Sequence, residues 1–123
     1  MTEFGIVIIS HVPEIASGVV SLLKEASKDV PITYSGGNDD NEIGTSFSKI
    51  ETAINKNSAS SIYAFYDLGS AKMNLEMVAE LSDKNITIYD TALIEGAYTA
   101  AALLATGASK DIVEEQLKPL VIK

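Results

Sequence analysis

Phe4-Gly5-Ile6-Val7-Ile8-Ile9-Ser10-His11-Val12-Pro13 is an unbroken apolar run that ends in two polar residues and, one place further on, a proline. A short apolar run without polar alternation is what a strand buried on both faces requires, and such strands belong to parallel sheets covered by helices. Pro13 suits a first helical turn, because its missing N–H would have had no intrahelical acceptor there. The stretch therefore predicts a strand over 4–10 and a helix starting directly after His11. In open α/β sheets, ligands and chemistry gather at the carboxyl ends of the strands. The sequence has a single histidine, and it stands at that end.

The same alternation continues along the chain. Ile32 to Ser35, Ile62 to Tyr66 and Ile86 to Asp90 read as three further strands, and helical spacing falls between them. Ile15, Val19, Leu22, Leu23 and Ala26 form one set; Phe47, Ile50 and Ile54 a second; Leu75, Val78, Ala79 and Leu81 a third. Strands alternating with helices predict an α/β fold, an open and mainly parallel four-stranded sheet with helices on both faces. Thr45 or Ser46 is expected to cap the second helix, and Ser70 the third. A fourth helix, from about Ala92 to Thr106 and closed by Gly107, is alanine-rich and almost uncharged. Such a helix wants burial on more than one side. Either Gly96 and Ala100 allow close approach of a second subunit, or the helix packs tightly within one. A fifth helix, Ser109 to about Leu117, stops at Pro119.

Composition narrows the functions open to such a fold. A chain of 123 residues is the usual size of one domain, so a single domain over residues 1–123 is expected. With no cysteine, disulfides, thiolate catalysis and cysteine-ligated metals are excluded. The opening Met1-Thr2-Glu3-Phe4 lacks the basic start of a secretory signal, and no apolar run reaches the ~20 residues of a membrane span. A cytoplasmic protein without membrane insertion is expected. The net charge of −8 argues against nucleic acid, which is bound through clustered cations. All nine basic residues are lysines, so no guanidinium is present to clamp a phosphate. A phosphoryl group here must be held mainly by backbone N–H groups or by cations that a partner supplies.

For a sheet of order 2-1-3-4 the strand order reverses between strands 1 and 3. Ser10-His11 and Asp67-Leu68-Gly69-Ser70 then line the crevice, and the polar loop from Ser35 to Thr45 reaches it from strand 2. A neutral imidazole has one lone pair and one N–H, and the partner of the N–H decides which nitrogen is nucleophilic. Asp67 is the candidate partner, able to orient the ring and favour the charge that develops as nitrogen attacks phosphorus. It has a second reading as an ordinary turn or helix-capping residue. Phosphoryl transfer is chiefly positioning and electrostatic stabilisation of charge on three equatorial oxygens. Gly37, Thr45 and Ser70, at a glycine turn and at two helix starts, are expected to aim amides and hydroxyls at those oxygens.

Gly36-Gly37-Asn38-Asp39-Asp40, Ile43-Gly44-Thr45-Ser46, Tyr66-Asp67-Leu68-Gly69-Ser70-Ala71-Lys72-Met73-Asn74-Leu75-Glu76-Met77 and Ala92-Leu93-Ile94-Glu95-Gly96-Ala97 together resemble the DhaM subunits of bacterial dihydroxyacetone kinases. Ile8-Ile9-Ser10-His11 fits as well, and the resemblance runs from the first strand through the fourth helix. DhaM subunits belong to the mannose-type enzyme IIA group of the phosphoenolpyruvate:sugar phosphotransferase system. The resemblance implies that phospho-HPr phosphorylates His11, on a nitrogen expected to be the tele position, with Asp67 beside it. The group then passes to ADP on a DhaL subunit, and the resulting ATP phosphorylates dihydroxyacetone on DhaK. It also implies a homodimer, no cofactor and no binding of the triose itself. Some members append HPr-like and enzyme I-like domains; here the phosphoryl group is expected from separate carriers. Three rivals remain: a mannose-type IIA component donating to a IIB domain, a receiver domain phosphorylated on Asp67, and a plain flavin or nucleotide binder. The receiver reading lacks an acidic pair after strand 1, and the nucleotide reading lacks a phosphate-cradling glycine run there.

Overall fold

The computed structural model describes residues 3–123. Four strands, β1 (Phe4–Ser10), β2 (Ile32–Gly36), β3 (Ser61–Tyr66) and β4 (Asn85–Tyr89), form one sheet in the order β2-β1-β3-β4. Every pairing is parallel. The helices are α1 (Pro13–Ala26), α2 (Phe47–Lys56), α3 (Gly69–Leu81), α4 (Leu93–Ala105) and α5 (Lys110–Leu117), followed by a 3-10 turn over Lys118–Leu120.

Right-handed crossovers explain how the helices divide. The step from β1 to β2 runs one way along the sheet, whereas β2 to β3 and β3 to β4 run the other way. Consequently α1 lies on one face and α2 and α3 on the opposite one. On the first face, Ile6 and Ile8 of β1 join Ala16, Val20 and Leu23 of α1, Ala97 and Ala101 of α4, and Val113 of α5. On the second, Val7 and Ile9 join Ile50 and Ile54 of α2 and Ala71, Leu75 and Val78 of α3. β1 is therefore buried on both sides, which is why its sequence does not alternate.

Several local expectations are corrected by the packing. On α1 the buried stripe is Ala16, Val19, Val20 and Leu23, while Ile15 and Leu22 stay exposed. The two stripes are adjacent on one helix and share Val19 and Leu23, so periodicity alone does not choose between them. On α3, Leu81 is 72% exposed, and Ala71 buries in its place near the helix start. The α4 small-residue face is buried within the subunit: Ala97, Ala100 and Ala101 pack into the core, and a Cβ on Gly96 would lie 1.9 Å from Thr91 Oγ1. No helix among the described residues is long and apolar enough to cross a membrane.

Candidate functional site

β1 and β3 are adjacent, with Ile9 opposite Tyr66, so the residues that follow each strand emerge side by side. Asp67 N–H donates to Ile9 C=O at 3.2 Å and extends the ladder by one step. The Asp67 carboxylate then meets four donors, two on each oxygen. Oδ2 accepts Ser10 Oγ–H at 2.8 Å and the His11 backbone N–H at 2.9 Å; Oδ1 accepts Leu68 N–H at 2.7 Å and lies 2.8 Å from His11 Nδ1. Burial pushes this carboxyl up, but the bonds from the His11 backbone and ring, from Ser10 and from Leu68 outweigh it and hold it below the usual carboxylate range. An ionised carboxylate only accepts, so the Nδ1 position carries a hydrogen.

On the other side of the ring, His11 Nε2 lies 2.6 Å from Ser70 Oγ. With Nδ1 protonated in the neutral imidazole, Nε2 holds the lone pair and the serine hydroxyl donates to it. The side chains of His11 and Asp67 are 14% and 16% exposed, so the ring edge is reachable while the carboxylate is anchored.

Ser70 does not cap its helix. The N-cap of α3 is Leu68, without a side-chain cap, and Ser70 lies in the first turn with its hydroxyl turned to the imidazole. The first N–H groups of a helix have no intrahelical acceptor, and α3 begins beside this ring. Ser46 caps α2, its Oγ accepting Lys49 N–H at 3.2 Å, while Thr45 Oγ1 accepts from Asn74 Nδ2 at 2.9 Å and ties the loop to α3. Gly37 is in the left-handed region at φ +79°, and its N–H is committed to Ser10 C=O at 3.2 Å. A Cβ there would press on Pro13 and on Glu42 C=O at 2.9 Å, so glycine is required by the turn.

The loop between β2 and α2 is tied down by its own polar side chains. Asn38 Oδ1 accepts the Asp40 and Glu42 N–H groups, Lys49 Nζ donates to Gly36 C=O at 2.9 Å, and Gly44 N–H donates to His11 C=O at 3.0 Å. The loop thereby supports the histidine backbone rather than its ring. Ser10, 1% exposed, was read from the sequence as lining the crevice but not as a donor to Asp67. The available signal was a hydroxyl ending a fully apolar strand.

The family model EIIA-man, described as PTS system fructose IIA component, matches residues 5–114. The chain belongs to that family of phosphotransferase-system IIA components. It is 50% identical over 120 residues to the "PTS-dependent dihydroxyacetone kinase, phosphotransferase subunit DhaM" of Lactococcus lactis, covering 98% of both chains. It is 45% identical to the "PEP-dependent dihydroxyacetone kinase 1, phosphoryl donor subunit DhaM" of Listeria innocua, covering 98% of this chain and 97% of the other. Within the family, the chain is a member of the DhaM group. A crystal structure of a protein of unknown function, EF1359, shares the fold with a TM-score of 0.85 at 23% identity, covering 100% of this chain and 98% of that one.

Proposed function

We propose that this chain is the phosphoryl donor subunit of a dihydroxyacetone kinase system and carries the phosphoryl group on His11 Nε2. The observation that carries this reading is the anchored imidazole, with Asp67 Oδ1 at 2.8 Å from Nδ1 and the opposite nitrogen open to a hydroxyl. The kinship to DhaM proteins at 45% and 50% identity supports the choice of system.

The proposed step is a displacement at phosphorus. The Nε2 lone pair forms the new N–P bond, and the bond from phosphorus to the donor breaks with its electron pair going to HPr, which leaves without its phosphoryl group. Nδ1 keeps its proton, and Asp67 stabilises the cationic ring that results. In this proposal Ser70 Oγ–H, beside Nε2 at the start of α3, receives a phosphoryl oxygen, aided by the positive end of the helix. In the second transfer a terminal phosphate oxygen of ADP held by DhaL forms the new O–P bond, and the N–P bond breaks with its electron pair returning to Nε2, which regenerates the neutral imidazole. Gly37 and Thr45 act in this proposal by holding the loop and the His11 backbone in place. The working assembly is proposed to be a homodimer; exposed Ile15 and Leu22 on α1 and Ile94 and Tyr98 on α4 supply apolar surface for it.

The test is incubation with phosphoenolpyruvate, enzyme I and HPr, followed by peptide mapping. A single label on the His11 peptide, labile in acid and stable in alkali, is expected. Alkaline lability with label on Asp67 would favour the receiver reading. The labelled protein should then transfer to DhaL-ADP, and transfer only to a IIB domain overturns the kinase assignment. Sedimentation equilibrium checks the dimer.

A further inference from the structure

Beyond α5 the chain returns to the mouth of the site. Ala92 N–H donates to Leu120 C=O at 3.0 Å, Thr91 and Val121 form an antiparallel bridge, and Ile122 N–H donates to Asp90 C=O at 3.0 Å. This strap brings Lys123 across the end of β4 to the end of β3. Its Nζ donates to Tyr66 C=O at 2.7 Å and to Asp67 C=O at 2.8 Å, and sits 4.3 Å from the centre of the Tyr66 ring.

The register explains why a cation is wanted there. Along β3, Asn85 N–H bonds Ser60 C=O, so even-numbered carbonyls point toward β4, and Tyr66 C=O is among them. Pairing of β3 with β4 ends at Phe65 opposite Tyr89, so no further ladder donor reaches Tyr66. The ammonium takes that place and binds the next carbonyl as well. The Tyr66 hydroxyl donates to Asp90, whose carboxylate also pairs with Lys72 at 2.8 Å, so the end of β3 is fastened on both sides of Tyr66.

We propose that Lys123 is a positioning residue for phosphoryl transfer: by gripping the Tyr66 and Asp67 carbonyls it fixes the backbone from which the Asp67 carboxylate reaches His11, and it offsets negative charge at a site that must accept a phosphate. The chain has no arginine to do this. Small displacements of an orienting group are costly in rate. The proposal rests on the phosphocarrier reading given above.

The test uses the full chain with Lys123→Met, which keeps an apolar stem over Tyr66 but removes charge and donors, and Lys123→Arg, which keeps both. With phospho-HPr as the varied substrate, Lys123→Met is expected to lower kcat by about 5- to 20-fold with KM changed less than about twofold. Lys123→Arg should restore most of the loss, and the label should remain on His11. Unchanged kcat in Lys123→Met, a loss confined to KM, or an Arg variant no better than Met overturns the positioning role. Absence of label on wild-type His11 instead removes the phosphocarrier reading, and this proposal with it.

Discussion

Ser10 and Asp67, 57 positions apart in the chain, are joined by a 2.8 Å hydrogen bond in which the hydroxyl that ends β1 donates to carboxylate Oδ2. The same serine oxygen accepts Val12 N–H at 3.1 Å, so one buried side chain holds both the Asp67 carboxylate and the entry to α1. Ser10→Ala removes one of the four Asp67 donors and leaves a backbone N–H without its acceptor. A loss of about 1–3 kcal/mol in denaturant unfolding is expected, together with slower phosphorylation of His11.

His11→Ala should abolish labelling by phospho-HPr and leave the fold standing. Three of the four donors to Asp67 survive this change, because the His11 backbone N–H, Ser10 and Leu68 do not depend on the ring. Circular dichroism close to wild type with no label at any residue is the expected pair of results. Labelling at the wild-type rate sinks the carrier assignment.

Asp67→Ala frees the ring and removes the acceptor that keeps the proton on Nδ1. A slowing of phosphoryl acceptance by about 10- to 100-fold is expected, by analogy with loss of carboxylates that orient other imidazoles. Single-turnover kinetics with phospho-HPr would measure it. An unchanged rate means the carboxylate does not orient the nucleophile.

Acid should weaken the fold through the same carboxylate. Asp67 is held below its ordinary value of 3.8 in the folded chain, so the unfolded chain binds the proton more readily. Its contribution is complete above about pH 4 and is lost as pH falls through the lower folded value; Asp90, lowered by Lys72 and Tyr66 despite its desolvation, acts in the same direction. Denaturant midpoints measured from pH 6 down to pH 2 should fall, and the fall should be shallower in Asp67→Asn.

Gly96→Ala and Gly18→Ala should differ in sign although both are glycines within helices. A Cβ on Gly96 meets Thr91 Oγ1 at 1.9 Å, whereas around Gly18 there is nothing within 4 Å. Overpacking at Gly96 is expected to cost about 3 kcal/mol, and Gly18→Ala to stabilise by about 0.5–1 kcal/mol. Thermal melts of the two variants decide it.

The placement of His11 was readable because it depends on neighbours in the chain: an apolar run, a polar exit and a proline. The parallel α/β class followed from the alternation of strands and helices; the 2-1-3-4 order was an expectation that the pairing of β1 with both β2 and β3 bears out, and that order sets Asp67 beside His11. The exposed stripe on α1 was not readable in this way, because Ile15 and Leu22 satisfy the helical period as well as Ala16 and Val20 do. Ser70 was legible as a residue near the crevice but not as a partner of Nε2, since a serine before a helix reads first as a cap. Lys123 carried no sequence signal, because a lone lysine is ordinarily solvated.

Contiguous residues thus determined the elements, their order and the histidine's position at a strand mouth, since periodicity and proline chemistry act over one or two turns of chain. Tertiary structure alone decided which hydroxyl faces Nε2, how four donors share one carboxylate and where the last lysine lands. Apart from the adjacent Leu68 N–H, those contacts join residues 56 to 59 positions apart at distances of 2.6–2.9 Å, and local chain geometry cannot set contacts over such a separation.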